Sequence, residues 1–231
     1  MAMTITSTDT FPELGSARLD ALLARLYGNA LRQDPGLRQA ASAQGIGEQD
    51  PGFYGAMRGA YMPVTPEFGK LLYLLARAVR ARSVVEYGTS FGISTLFLAA
   101  ALRDNGGGRL ITTELEPAKV ARARAHLEEA GLSDLVELRA GDALRTLREG
   151  LPASIDLLLL DGAKSQYLAV LRLLEARLAP CALVAADNSD MEASAAFLAH
   201  VRDPAHGYVA AALGSRALGA FHGHEIMLRA A

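Results

Sequence analysis

Four short apolar runs in this chain each end in polar residues of a similar kind. They are Val84-Val85-Glu86-Tyr87-Gly88-Thr89-Ser90-Phe91-Gly92, Ile111-Thr112-Thr113-Glu114, Leu157-Leu158-Leu159-Leu160-Asp161-Gly162-Ala163-Lys164 and Leu183-Val184-Ala185-Ala186-Asp187-Asn188. Apolar strands that stop at an acid deliver their carboxylates to one edge of a parallel sheet, where open α/β sheets hold ligands. In the first run, Gly88 and Gly92 let the backbone bend sharply and let a ligand approach it closely. Their spacing departs from the Gly-x-Gly-x-x-Gly fingerprint and counts against a dinucleotide. Glu114 is placed to accept hydrogen bonds from both hydroxyls of a ribose. After the strand pattern near 135–140, Gly141-Asp142-Ala143 offers another acid, which either accepts from an amino group on an adenine edge or caps the helix starting at Ala143. The set reads as a nucleotide-cofactor site.

A second chemistry sits beside it. Asp161, Asp187 and Asn188 supply hard oxygen ligands, which suit Mg²⁺ or a related cation and not zinc. Carboxylates at adjacent strand ends repel one another unless a cation lies between them; the other reading is that each caps the helix that follows. Lys164 comes three residues after Asp161, so its amine can reach the same place. A lysine near a divalent cation loses proton affinity, which a general base requires. His222 and His224, at alternate positions of a strand pattern, read as one face of a hairpin.

These residues need a sheet to position them. Strand patterns near 83–87, 109–114, 135–140, 156–161 and 181–187 alternate with helical stretches, which argues for a parallel sheet with crossover helices. The near-continuous apolar runs at 157–160 and 182–186 fit strands covered on both faces. Two more strands, around 208–213 and 221–228, follow a helical stretch at 191–201 and bring the total to about seven. The clearest helix follows Glu114, with Pro117 near its start, Val120, Ala123 and Leu127 on one stripe and Gly131 as its stop. Upstream, Thr65-Pro66-Glu67 opens a helix whose stripe is Phe68, Leu71, Leu72, Leu75 and Val79. Leu19, Leu22, Leu23 and Leu26 mark an amphipathic helix from Ser16 to about residue 33. Residues 36–62, with Gly45, Gly47, Pro51, Gly52, Gly55 and Gly59, read as a turn-rich lid or connection.

Composition narrows the function class. The 231 residues carry a net charge of -2 and a pI near 6.2, so a nucleic-acid backbone is excluded as a main partner. Arg77, Arg80, Arg122 and Arg124 read as solvated helix faces. Cys181 is the sole cysteine, which excludes an internal disulfide, and its place at the start of an apolar strand suggests a buried thiol. No apolar stretch approaches the roughly 20 residues that span a bilayer, and residues 1–11 lack the pattern of a secretory signal. A cytoplasmic protein with no membrane partner is expected.

In combination these motifs resemble the cation-dependent, S-adenosylmethionine-dependent O-methyltransferases, the group of catechol and caffeoyl-coenzyme A O-methyltransferases. The likeness runs from about Met62 to the carboxyl terminus. It rests on Glu86-x-Gly88-x-x-x-Gly92-x-Ser94, Glu114 after Ile-Thr-Thr, Gly141-Asp142-Ala143, Asp161-x-x-Lys164-x-x-Tyr167 and Asp187-Asn188. Phe197-Leu198-Ala199-His200-Val201-Arg202 is similar to the catechol branch, and the short loop after Asn188 lacks the insertion of the coenzyme A branch. The resemblance implies a Rossmann-like class I methyltransferase fold over 62–231, about seven strands and mostly parallel, with residues 1–61 as an N-terminal helical extension and lid-like segment of one structural domain. It implies that Met62, Val64, Glu86, Gly88, Ser94, Glu114, Asp142, Ala143 and Asp161 hold S-adenosylmethionine. It further implies that Asp161, Asp187 and Asn188 bind Mg²⁺ or another divalent cation, and that Lys164 is the base. The acceptor is then a small aromatic hydroxyl, catechol-like. Gly162 and Ala163 stand where the catechol enzyme has bulkier groups, which suggests a wider acceptor pocket. The acid that would orient a second hydroxyl is not identified; His222, His224 and Glu225 are candidates.

Two other readings compete. A nicotinamide-dependent dehydrogenase is disfavoured by the glycine spacing and by the lack of a suitably placed Tyr-x-x-x-Lys pair. A cofactor-binding protein without catalysis would need neither Lys164 nor three oxygen ligands. The N-terminal helix could pack across a two-fold axis, and a homodimer is expected.

Overall fold

The computed structural model describes residues 14–47, 50, 52–217 and 220–230. The reading of residues 1–11 lies outside these. Seven strands form one sheet: β1 (Ser83–Tyr87), β2 (Arg109–Glu114), β3 (Val136–Ala140), β4 (Ile155–Leu160), β5 (Leu178–Ala186), β6 (Tyr208–Ala217) and β7 (Ala220–Arg229). Their order is β3-β2-β1-β4-β5-β7-β6. The first five pair in parallel and β7 runs antiparallel between β5 and β6. The order reverses between β1 and β4, which brings the carboxyl ends of those strands to the crevice where ligands of such sheets bind.

Among the described residues eight α-helices flank the sheet: α1 (Ala17–Ala43), α2 (Phe53–Ala56), α3 (Pro66–Ala78), α4 (Ile93–Asp104), α5 (Pro117–Ala130), α6 (Ala143–Thr146), α7 (Tyr167–Leu174) and α8 (Ala195–Arg202). Successive strand side chains point to opposite faces. Val84, Leu157 and Leu159 accordingly join an apolar cluster with residues of α1, α3 and α4. Val85, Leu158 and Leu160 join a second cluster with α7 and α8. Both faces are covered, as the unbroken apolar run of β4 requires. Each fully buried leucine contributes about 1.5–3 kcal/mol relative to leaving it in water.

The helix starts follow the sequence. Thr65 caps α3, its Oγ1 accepting from Phe68 N at 3.1 Å, and Gly131 ends α5 at φ 71°. Other expectations are corrected. The helix placed at 16–33 continues to Ala43, through Pro35. Proline inside a helix removes one backbone bond, but tertiary contacts hold this one in place. Gln33 Nε2 donates to Gly59 O at 2.7 Å, Leu37 packs against the small cluster of Phe53, Met57 and Ala60, and Asp34 is buried beneath residues 61 and 62. The helix expected at 191–201 begins at Ala195, after a 3₁₀ turn over Glu192–Ser194. Cys181 is exposed. In β5, Leu178 pairs with Ile155 and Leu183 with Leu157, so the chain bulges between them; Pro180 cannot donate to the ladder, and Cys181 turns outward at φ 62°. No described helix is long and apolar enough to cross a membrane.

Candidate functional site

The turn after β1 is built on a buried acid. Glu86 is fully buried, with Oε1 accepting from Ser94 Oγ at 2.6 Å and Oε2 from Thr95 Oγ1 and Thr112 Oγ1, both at 2.6 Å. Burial pushes its carboxyl up, and the three hydroxyls counter this. Glu86 therefore ties the start of α4 to β2 beneath the turn. Gly88 has φ 100°, and a Cβ there would lie 2.5 Å from the Asp161 carbonyl oxygen; only glycine allows the ends of β1 and β4 to come so close.

Glu114 uses both carboxylate oxygens on backbone amides: Oε2 accepts from Ser90 N at 2.7 Å and Oε1 from Glu116 N at 2.9 Å. Each oxygen retains a lone pair for a ligand hydroxyl. Facing the turn is an irregular strap, residues 60–64. Asp34 of α1 accepts from Tyr61 N at 2.9 Å and Met62 N at 2.8 Å, Tyr27 Oη donates to Val64 O at 3.0 Å, and Ser90 Oγ donates to Tyr61 O at 2.8 Å. A cavity of about 10 Å³ lies between strap and turn, lined by Met62, Val64, Ser90, Ser94 and Asp161 among others. Met62 (φ 44°), Ser90 (φ 47°) and Asn188 (φ 48°) are three of the five described non-glycine residues in left-handed backbone. Each costs on the order of 1–3 kcal/mol, and such strain clusters at functional sites.

Beyond the strap, Asp161 and Asp187 occupy the ends of adjacent strands. Burial, then the charge of Asp187, pushes the Asp161 carboxyl well above the usual carboxylate range. Burial would also raise Asp187, but a hydrogen bond from His224 and the charge of Lys164 hold it below that range. Lys164 Nζ is 3.4 Å from Asp161 Oδ1 and lies 5.2 Å from the centre of the Tyr167 ring. His224 Nδ1 is 2.8 Å from Asp187 Oδ1, its Nε2 is 3.2 Å from Ser215 Oγ, and its ring stacks on Phe68 at 3.9 Å. Asn188 Nδ2 is 3.1 Å from His222 Nδ1. Neither aspartate caps a following helix in the bonds described. Among the described residues no group of three or more His, Cys, Asp and Glu is poised to hold a metal ion. The donor set here is two carboxylates and an amide, which is the chemistry a hard cation takes.

The sequence-derived residues thus divide. Met62, Val64, Ser94 and Asp161 line one cavity together with Ser90, and Gly88 and Glu114 belong to the adjoining turn. Glu86 lies under the turn and not on its surface. Asp142 is the cap of α6, Oδ1 accepting from Leu144 N at 2.9 Å, and Ala143 is buried as the first residue of that helix. The wider pocket expected at Gly162 is not found. A Cβ there would meet the Tyr87 ring at 2.4 Å, so Tyr87 fills the space, and its hydroxyl accepts from Ala163 N at 3.1 Å. Glu225 is 1 % exposed and accepts two bonds from Arg202, so it does not serve as the orienting acid. Sequence reasoning missed the contacts of His222 and His224 with the candidate ligands, and it missed Lys119. The alternation in β7 was visible; which strand it would pair with was not.

The chain matches a family model described as a methyltransferase domain over residues 85–189. It is 37% identical over 128 residues to a catechol O-methyltransferase of Niastella koreensis, covering 54% of this chain and 57% of that protein. It is 38% identical over 109 residues to a catechol O-methyltransferase of Mycobacterium tuberculosis, covering 47% and 49%. The matched part is therefore about half the length of these curated relatives. Among solved structures, cofactor-bound Rv0187 from MTB aligns with a TM-score of 0.67 at 30% identity, over 72% of this chain and 81% of that one. An O-methyltransferase of Bacillus cereus in complex with SAH shares the fold, with a TM-score of 0.69 at 23% identity over 90% of each chain.

Proposed function

We propose that this chain is an S-adenosylmethionine-dependent O-methyltransferase and that it transfers the cofactor's methyl group to one hydroxyl of a small vicinal-diol aromatic, assisted by a divalent cation such as Mg²⁺. The observation that carries this reading is the position of Asp161. It lines the strap cavity, faces Asp187, and has the Lys164 amine beside it, so one residue joins the cofactor side to the acceptor side. The names of the curated relatives support the catechol-like acceptor.

Each part of the site has a task. Glu114, fixed by two backbone amides, accepts from ribose hydroxyls; the glycine turn admits the cofactor backbone; Met62, Val64 and Ser94 enclose its methionine end. Asp161, Asp187 and Asn188 would hold the cation, since their oxygens are of the hard type it prefers and two buried carboxylates side by side need a positive partner. When bound, the cofactor supplies an electrophilic methyl on a sulfonium, and the cation lowers the pKa of a bound hydroxyl. Lys164 Nζ accepts the proton that the attacking hydroxyl loses. The site is dry: the Lys164 and Asp187 side chains are 9% and 5% exposed. Low polarity favours a step in which the sulfonium charge disappears.

The test is mass-spectrometric detection of methyl transfer from S-adenosylmethionine to a panel of catechols, with Mg²⁺ and again with EDTA. Product that forms with Mg²⁺ and vanishes with EDTA supports the reading. Tight cofactor binding with no product on any catechol would overturn the acceptor class.

A further inference from the structure

Lys119 is a lysine buried to 5% exposure. It lies in the first turn of α5, and its Nζ donates to Ser90 Oγ at 2.9 Å, approaches Met62 Sδ at 3.8 Å and lies 5.5 Å from the centre of the Phe91 ring. Ser90 Oγ in turn donates to Tyr61 O at 2.8 Å. One ammonium therefore touches both sides of the small cavity between strap and turn, the strap through Met62 and the turn through Ser90. Burying an ammonium against a hydroxyl and a thioether is costly unless something is gained. Burial lowers its proton affinity, and the carboxylates of Glu114, Asp34 and Asp161 act in the opposite direction. Further support of the strap comes from the other side, where Asp34 of α1 accepts the amides of Tyr61 and Met62 and Tyr27 of α1 donates to Val64 O. The strap is thus held by α1 behind it and by Ser90 and Lys119 in front of it.

We infer that Lys119 is a positioning residue for the cofactor: it fastens the strap at residues 61–64 to the glycine turn, so that the methionine end of S-adenosylmethionine is enclosed while the nucleoside end is held independently by Glu114. The inference rests on the proposed cofactor. It separates two halves of one ligand. Loss of the clamp acts on the half against Met62 and Val64 and spares the half against Glu114, whose carboxylate is fixed by its own backbone bonds.

The experiment is calorimetric titration of S-adenosylhomocysteine and of adenosine into the wild-type chain, Lys119→Met and Lys119→Arg. In Lys119→Met, S-adenosylhomocysteine affinity is expected to fall about tenfold or more, the scale of a lost hydrogen bond from a charged group. Adenosine affinity is expected to stay within about threefold, Lys119→Arg to keep most of the S-adenosylhomocysteine affinity, and deuterium exchange to quicken at the Tyr61 and Met62 amides. In turnover, KM for S-adenosylmethionine rises while kcat at saturation holds. Equal losses for both ligands, or no loss for either, would overturn the assignment of Lys119. A wild-type chain that binds neither ligand would overturn the cofactor reading itself.

Discussion

Two pairs of acids stand at the same edge of the sheet and are stabilised in opposite ways. Glu86 and Glu114, from β1 and β2, are satisfied by neutral groups: three hydroxyls on one and two backbone amides on the other. Asp161 and Asp187, after β4 and β5, lie beside the Lys164 amine and the His224 ring, and burial together with mutual repulsion pushes Asp161 up. Neutral donors fix a carboxylate without cancelling its charge, which leaves Glu114 preorganised for hydroxyls. Two carboxylates side by side and out of water need a positive partner. The first pair builds a frame for a neutral nucleoside; the second is suited to a cation and to the proton transfer next to it.

The largest expected effect tests the catalytic side. Lys164→Met should lower kcat by about 10²–10⁴-fold, the range for removing a general base, with S-adenosylhomocysteine affinity unchanged by calorimetry. If affinity falls in parallel with rate, the two halves are not separable as described.

Glu86→Ala probes the frame. It strands three hydroxyls in a buried place, and urea unfolding should show a loss of about 3 kcal/mol or more. A loss below about 1 kcal/mol would mean that the hydroxyls find other partners. Glu114→Ala should weaken adenosine and S-adenosylhomocysteine alike by about tenfold or more, since both carry the ribose. A loss confined to one of them would contradict the placing of Glu114.

Much of this contrast was legible in the sequence. Apolar runs ending at Glu114, Asp161 and Asp187 fixed which strands carry acids, and Thr65, Pro117 and Gly131 marked helix ends by local chemistry alone. What the sequence hid was long-range. Pro35 and Gly36 looked like a helix end because their propensities are poor, whereas bonds to residues 25 or more positions away keep α1 going to Ala43. Lys119 carried no signal in the sequence, because only the fold lowers the strap onto it. His222 and His224 looked like a hairpin face, which they are, but the β5–β7 register also lays that face against Asp187 and Asn188. Gly162 suggested empty space that Tyr87, at the end of the neighbouring strand β1, fills. Local signals give elements; which side chains meet across elements depends on register.

The smallest expected effect is a pH dependence of stability. Burial raises the Glu86 carboxyl in the folded state, so the ionised form is disfavoured there relative to the unfolded chain. Stability from this group is therefore lost above its ordinary value and recovered as pH falls through the raised one. The difference in unfolding free energy between wild type and Glu86→Gln should shift toward wild type on acidification across that window. A pH-independent difference would show that the hydroxyls fully offset burial.

The contrast between the two acid pairs is tested most directly by calorimetric titration of Mg²⁺ into the wild-type chain and Asp187→Asn, each saturated with S-adenosylhomocysteine. One Mg²⁺ per chain in the wild type, and binding weakened at least about tenfold in the variant, is the predicted result. No Mg²⁺ uptake by the wild type, or equal uptake by both, would contradict the assignment of Asp161, Asp187 and Asn188 as a cation site.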